Sequence, residues 1–320
     1  MSLASPPQSL LPPPSSLIRL GCGPGLYGRP GLRCFDAGGA ERAAHLSVSL
    51  AYLRDSLAWC AQAGLHWLRL DPRLVPGSPA EGLAQVEACA VELAYVGGLA
   101  RAAEVRLTVH APPGVALGGP HERVAEGAAA RLTVLAALLD GLGAAGGVIV
   151  THVGGEGAAA RERWAERVRG LPQVTRARLV VEHDLGHSAA EVVAMARGAG
   201  VPVVFDLLHH RLRPGGLAAR EALAACLATW PIQVTPKVHL SSPRTEAHLR
   251  RRGGQMEARL PRPEEHADLI HPFDLVALLE LAGGLRACDV FLEARASDIA
   301  VARARDDLRR YAPEWAARVR

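Results

Sequence analysis

Eight short runs rich in β-branched residues and leucine recur along the chain, each followed by a longer stretch of helical period. This alternation constrains the fold more than any other feature. The runs are 17–21, 66–70, 105–110, 148–152, 178–182, 201–206, 235–240 and 288–293. The helical stretches are about 45–63, 80–103, 121–142, 158–169, 189–199, 217–228, 273–285 and 300–310. Punctuation supports several of them: Ser188 stands as an N-cap before AAEVVAMARG, with its end placed at Gly198, and Pro272 opens the seventh helix. Eight strand-then-helix units in 320 residues predict an α/β chain folded as a (β/α)8 TIM barrel. A doubly wound sheet is the competitor, but the GCGPGLYG segment after the first strand breaks the dinucleotide-binding spacing with a proline. The expected organisation is a Pro/Ser-rich arm over 1–16, one barrel domain over 17–312 and a tail over 313–320. A long loop, 241–271, follows the seventh strand.

In a parallel barrel the carboxyl ends of all the strands meet at one mouth, where barrel enzymes keep their chemistry. Six successive strand ends here carry metal-ligand side chains: His110, His152, Glu182, Asp206 with His209 one turn on, His239 and Glu293. Four imidazoles and three carboxylates converging on one rim predict a multinuclear site suited to Mn, Zn or Fe. Such a cluster activates water, orients a phosphodiester and stabilises a leaving oxygen. His210 reads as a supporting or exposed residue. His183 and His187 are open between ligand and polar loop residue, and His45, His66 and His121 read as boundary residues.

Composition adds one candidate and several exclusions. The chain has no asparagine and a single lysine, Lys237, among 36 basic residues. A lone lysine two positions before His239, on the same strand face, predicts acid–base or modified-amine chemistry that a guanidinium cannot do. The formal charge of +4 permits nucleic-acid binding without requiring it. Six scattered cysteines with no CxxC pair predict reduced thiols and a cytoplasmic protein. No apolar run reaches membrane length, so no membrane association is expected.

The segments VVFDLLHH, PKVHLSSPRTE, HADLIHPF and FLEARASD, in this order and spacing, resemble the ultraviolet-damage endonuclease family. HLSVSLAYLRDSLAW and the HVGG after the fourth strand agree with this. The resemblance covers about 18–310. It implies a xylose-isomerase-like barrel that nicks DNA 5′ to ultraviolet photoproducts and so starts excision repair. The cofactor it implies is two or three divalent ions, Mn2+ foremost and Zn2+ as the alternative. The implied metal ligands are His110, His152, Glu182, Asp206, His209, His239, His266 and Glu293, and His266 comes from the resemblance alone. Lys237, Glu182, Asp206 and Glu293 are the implied catalytic set. Departures fall on the lesion-reading side: HAPPG puts Pro113 and Gly114 where the family carries probing residues, and Arg73 stands where some members carry a histidine. Arg73, Pro113, Gly114 and Arg244 are the expected DNA contacts, with Arg211 and Arg213 as further mouth arginines. The expected partner is lesion-bearing double-stranded DNA, met by a monomer without a nucleotide cofactor. Two other functions stay open: a sugar isomerase or epimerase, and a DNA-binding barrel that has lost lesion recognition.

Overall fold

The computed structural model describes residues 17–320, so the arm expected over 1–16 lies outside the described residues. The barrel strands are β1 (Leu20–Gly21), β2 (Trp67–Leu70), β3 (Arg106–His110), β4 (Ile149–Thr151), β5 (Leu179–Glu182), β6 (Val203–Asp206) and β7 (Lys237–Leu240). An antiparallel hairpin, β8 (His248–Arg252) and β9 (Gln255–Arg259), precedes the last barrel strand, β10 (Asp289–Leu292). The eight barrel strands run parallel in the order β1-β10-β7-β6-β5-β4-β3-β2. The ends of this sheet meet through Cys22, which bridges Leu68 and exchanges backbone hydrogen bonds with Trp67 and Arg69. The TIM barrel expected from the alternation is the observed fold, with each strand one to three residues shorter than the apolar run that marked it.

Helices cover the outside, and their ends follow local chemistry. Ser188 and Glu191 form a reciprocal capping box at the start of Ala189–Ala199, and the left-handed Gly200 ends that helix two residues beyond the expected stop at Gly198. The single helix expected over 80–103 is two, Pro79–Ala88 and Ala90–Ala102, bent by 76° at Cys89. No proline or glycine marks the bend; it lets the first piece lie on Glu122–Gly141 and the second on Leu46–Ala63. Residues 313–320, expected as a tail, are part of the fold. Pro313–Ala316 is a short helix with Trp315 buried, and the Arg320 N–H donates to the Ile18 carbonyl while its own carbonyl accepts from the Leu20 N–H.

Strand side chains alternate, so every second residue enters the barrel. The interior therefore has three levels. At the amino-terminal end stand Arg19, Arg106, Lys237 and Asp289. The middle is apolar: Val150, Val180 and Val204 form one cluster with Val148 and Trp230, and Trp67 meets Phe291 edge to face at 5.1 Å. Gly21 makes that ring pair possible, since a Cβ there would lie 2.6 Å from Trp67 and 2.7 Å from Phe291. The carboxyl-terminal level holds the polar residues of the site. Among the described residues no single helix is long and apolar enough to cross a membrane. All six cysteines are free thiols, five of them buried.

Candidate metal centre

The mouth brings together what the strand ends promised. One group is His110, His152 and Glu182; a second is Glu182, Asp206, His239 and Glu293. Within each group one ligand atom per residue lies within 4.8 Å of the others. Glu182 is common to both. Its Oε2 lies 2.9 Å from His239 Nδ1, 3.5 Å from His110 Nε2 and 3.9 Å from His152 Nε2, while Oε1 faces His209 Nδ1 at 3.4 Å. His266 joins at the edge, 3.8 Å from Glu293 Oε2. All eight expected ligands thus stand in one connected cluster of side chains.

The donor set suits cations. Both oxygens of Glu182, Asp206 Oδ2 and His239 Nδ1 are buried, yet none makes a hydrogen bond of proper geometry. Buried polar atoms are ordinarily satisfied, and an orphaned set of one polarity marks the place of a missing partner. Three carboxylates against one guanidinium, Arg69, leave a local excess of two negative charges when the imidazoles are neutral. Imidazole and carboxylate without thiolate is the set for Mn or Zn in a catalytic centre.

Supporting contacts aim the ligands. His110 Nδ1 donates to the Ala111 carbonyl at 2.8 Å, so its Nε2 carries the lone pair turned to Glu182. His209 Nδ1 donates to the His183 carbonyl at 3.0 Å, and His152 Nδ1 faces Asp184 Oδ2 at 3.3 Å. Asp206 caps the helix Leu207–Leu212: its Oδ1 accepts the His209 N–H at 2.7 Å, leaving Oδ2 free. His183 is a prop and not a ligand, because its Nε2 accepts the Asp206 N–H at 3.1 Å. Burial and the neighbouring His209 hold His183 neutral, its pKa down at about 3. His187 is tied to Gly155 and Arg161, and His210 is buried beside Phe205.

Electrostatics separate the carboxyls. Burial resists ionisation of Glu182, but His239, His110 and His209 outweigh it and hold the group well below the carboxylate range. Burial likewise opposes Glu293, which Arg69 and His239 bring down to about 2. Asp206 goes the other way: burial, with Glu182 and Glu293 adding repulsion, raises it. His209 is pushed up to about 10, since Asp206 and Glu182 override the cost of burying its charge.

One expected catalytic residue lies away from the cluster, and the expected arginine contacts carry ion pairs of their own. Lys237 does not reach the cluster. Its Nζ donates to the Gly146 carbonyl at 3.0 Å, over the Trp230 ring, at the opposite end of the barrel from His239. Two residues along a strand is roughly 7 Å, enough to put the two side chains on different levels although both point inward. Arg73, exposed after β2, clamps Asp71 at 2.9 and 2.8 Å and covers the Phe35 ring. Arg244 is held within its own loop by the Glu246 carbonyl and Asp268. Arg211 and Arg213 pair with Asp274 and Glu191. Pro113 and Gly114 are exposed just beyond His110.

The arginine inside the site is Arg69. It donates to Glu293 Oε1 at 2.6 Å, lies 3.1 Å from His239 Nε2 and stacks on Phe291 at 3.6 Å. It sits near the end of β2 on the face that Trp67 occupies, so the strand-end rule reaches it once basic residues are counted with ligands. Asp184, which aims His152, had a signal too: it follows Glu182 by two positions in EHD.

The family model for UV-endonuclease UvdE matches residues 41–313. A UV DNA damage endonuclease of Deinococcus radiodurans is 30% identical over 220 residues, covering 63% of this chain and 72% of that protein. The one from Bacillus velezensis is 29% identical over 174 residues, covering 52% of this chain; the match spans about half of that relative's length, 54%. The crystal structure of SacUVDE superposes with a TM-score of 0.76 at 22% identity, covering 92% of this chain and 98% of that one. Endonuclease IV from Thermus thermophilus gives 0.53 at 17% identity, covering 91% and 99%.

Proposed function

The chain belongs to the UV-endonuclease UvdE family, and on that premise we propose that it is a metal-dependent DNA repair endonuclease that nicks the strand 5′ to ultraviolet photoproducts. The observation that carries this reading is Glu182, fully buried, shared by two ligand groups, with both oxygens lacking hydrogen-bond partners. A carboxylate shared by two ligand groups could hold two cations, an arrangement suited to phosphodiester hydrolysis. We take the ions to be Mn2+, which the donor set accepts as it does Zn2+, and bound ions would supply an activated water and charge for the departing oxygen.

The protein's own residues then divide the work. Asp206, His239 and Glu293 with Glu182 would hold one ion; His110 and His152 with Glu182 would hold the other. His209 and His266 flank them. Arg69 keeps Glu293 Oε1 occupied and turns Oε2 toward His266. Pro113 and Gly114 lie at the rim, where a lesion would pass. The sugar-epimerase alternative rests on fold alone: D-psicose 3-epimerase from Clostridium cellulolyticum superposes with a TM-score of 0.52 at 14% identity.

The test is nicking of irradiated and intact supercoiled plasmid by the full chain with Mn2+, alongside metal analysis. The expected result is Mn-dependent nicks confined to irradiated DNA, with Glu182→Gln losing bound metal and activity by on the order of 10³-fold. Full metal content with equal inertness toward both plasmids would refute the reading.

A further inference from the structure

The long loop expected after β7 contains a two-stranded arm. β8 and β9 pair from His248↔Arg259 to Arg252↔Gln255, closed by Gly253 and Gly254 at φ of 57° and 85°. Both turn positions need positive φ, which glycine supplies freely, and a two-residue turn of this kind matches the twist of the strands. The arm stands away from the barrel, with Leu249 69% and Met256 62% exposed. Alternation gives it two unlike faces: His248, Arg252, Gln255, Glu257 and Arg259 share one, and Leu249, Arg251, Met256 and Ala258 the other.

Charge on this segment is one-sided. Residues 244–262 contain six arginines and two glutamates. Among the described residues neither Arg251 nor Arg252 pairs with a carboxylate. The base of the arm is fixed by Glu265, which accepts from Arg259 Nη2 at 2.8 Å and the Arg262 N–H at 3.2 Å and also contacts His248. Pro243 bridges His266, and Arg244 donates its N–H to the Glu265 carbonyl. The arm is therefore anchored to the residue beside a candidate metal ligand, on the rim of the site.

Resting on the nuclease reading above, we propose that the β8–β9 hairpin is a DNA arm, its arginines taking backbone phosphates and its Leu249–Met256 face pressing on the base stack next to the lesion. A two-stranded ribbon fits a groove of duplex DNA. Unpaired guanidiniums on an exposed ribbon are complementary to phosphates and bind them whatever the sequence. Apolar side chains set beside such contacts act as wedges where stacking is already weak.

The experiment is fluorescence anisotropy of the full chain, in EDTA to prevent cleavage, with intact and irradiated duplexes of about three helical turns across a salt series. Arg251→Ala/Arg252→Ala is expected to weaken both duplexes at least ~10-fold and to lower the slope of log Kd against log salt by about 2. Leu249→Ala/Met256→Ala is expected to keep that slope and lose the preference for irradiated duplex. All four side chains are exposed, so melting temperatures should match the parent. An unchanged slope in the arginine variant overturns the proposal. A chain that nicks irradiated plasmid while the slope stays unchanged loses the arm and keeps the nuclease reading. One that never nicks, but whose slope falls, keeps the arm and loses the nuclease reading.

Discussion

The two ends of the barrel interior are built from similar materials and resolved in opposite ways. At the amino-terminal end one carboxylate, Asp289, sits between Arg106 at 2.6 Å and Arg19 at 3.3 Å. Arg106 Nη2 donates to the Gly146 and Thr235 carbonyls, and Lys237 Nζ donates to Gly146. At the mouth three carboxylates face five imidazoles and one guanidinium, and the buried oxygens at the centre stay without hydrogen-bond partners. The amino-terminal end is a structural ion cluster; the mouth leaves carboxylate oxygens without a protein partner. The same low-dielectric interior makes both arrangements costly unless they are completed. Only the second is left to be completed by something from outside.

That contrast can be broken at either end. Removing the Asp289 charge leaves two half-buried guanidiniums without an ion-pair partner, so Asp289→Asn should cost about 2 kcal/mol. Denaturant unfolding would register the loss, with metal content per folded chain unchanged. Lost metal would show that the two ends are one unit. At the mouth, Asp184→Ala removes the carboxylate behind His152 and should weaken metal binding about 10- to 100-fold. Competition titration measures this, and parent-like affinity would remove Asp184 from the site. Lys237 separates the ends most directly. Burial, with Arg106 adding repulsion, pushes its amine well below the usual lysine value, and it keeps one hydrogen bond, to the Gly146 carbonyl. Lys237→Met should raise stability by about 1 kcal/mol and leave metal content and nicking intact; a metal-free variant would return the lysine to the cluster.

The smallest effect lies outside both ends. Burial works against Glu191, but the Ser188 N–H and hydroxyl, Arg213 and Arg161 hold its carboxyl down at about 2. A depressed carboxylate contributes stability in full above its unfolded value near 4.5 and loses it as pH falls toward 2. The slope of stability against pH in that window should therefore be shallower in Glu191→Gln. Because Glu191 is half-exposed, the change is small. Equal slopes would mean that its ion pairs contribute nothing.

The eight alternations and the ligand types at their ends are set by local pattern. Strand period, helix period and a parallel barrel's common polarity decide which residues reach the mouth, and that is why His110, His152, Glu182, Asp206, His209, His239 and Glu293 can be placed together from sequence. The Gly-Gly turn between the two runs of the arm is legible in the same way, although the length and polarity of its segment read first as a loop. Depth within the barrel is not legible. Lys237 and His239 share a strand face, and only the packing of Trp230 and the Gly146 carbonyl sends one to the floor while the other joins Glu182. Partner choice is equally hidden: Arg69 and Arg73 lie four residues apart, yet one stacks on Phe291 inside the site and the other clamps Asp71 outside it. Sequence period fixes the direction of a side chain; what it meets there is set by strands far away along the chain, and only the closed barrel brings those strands together.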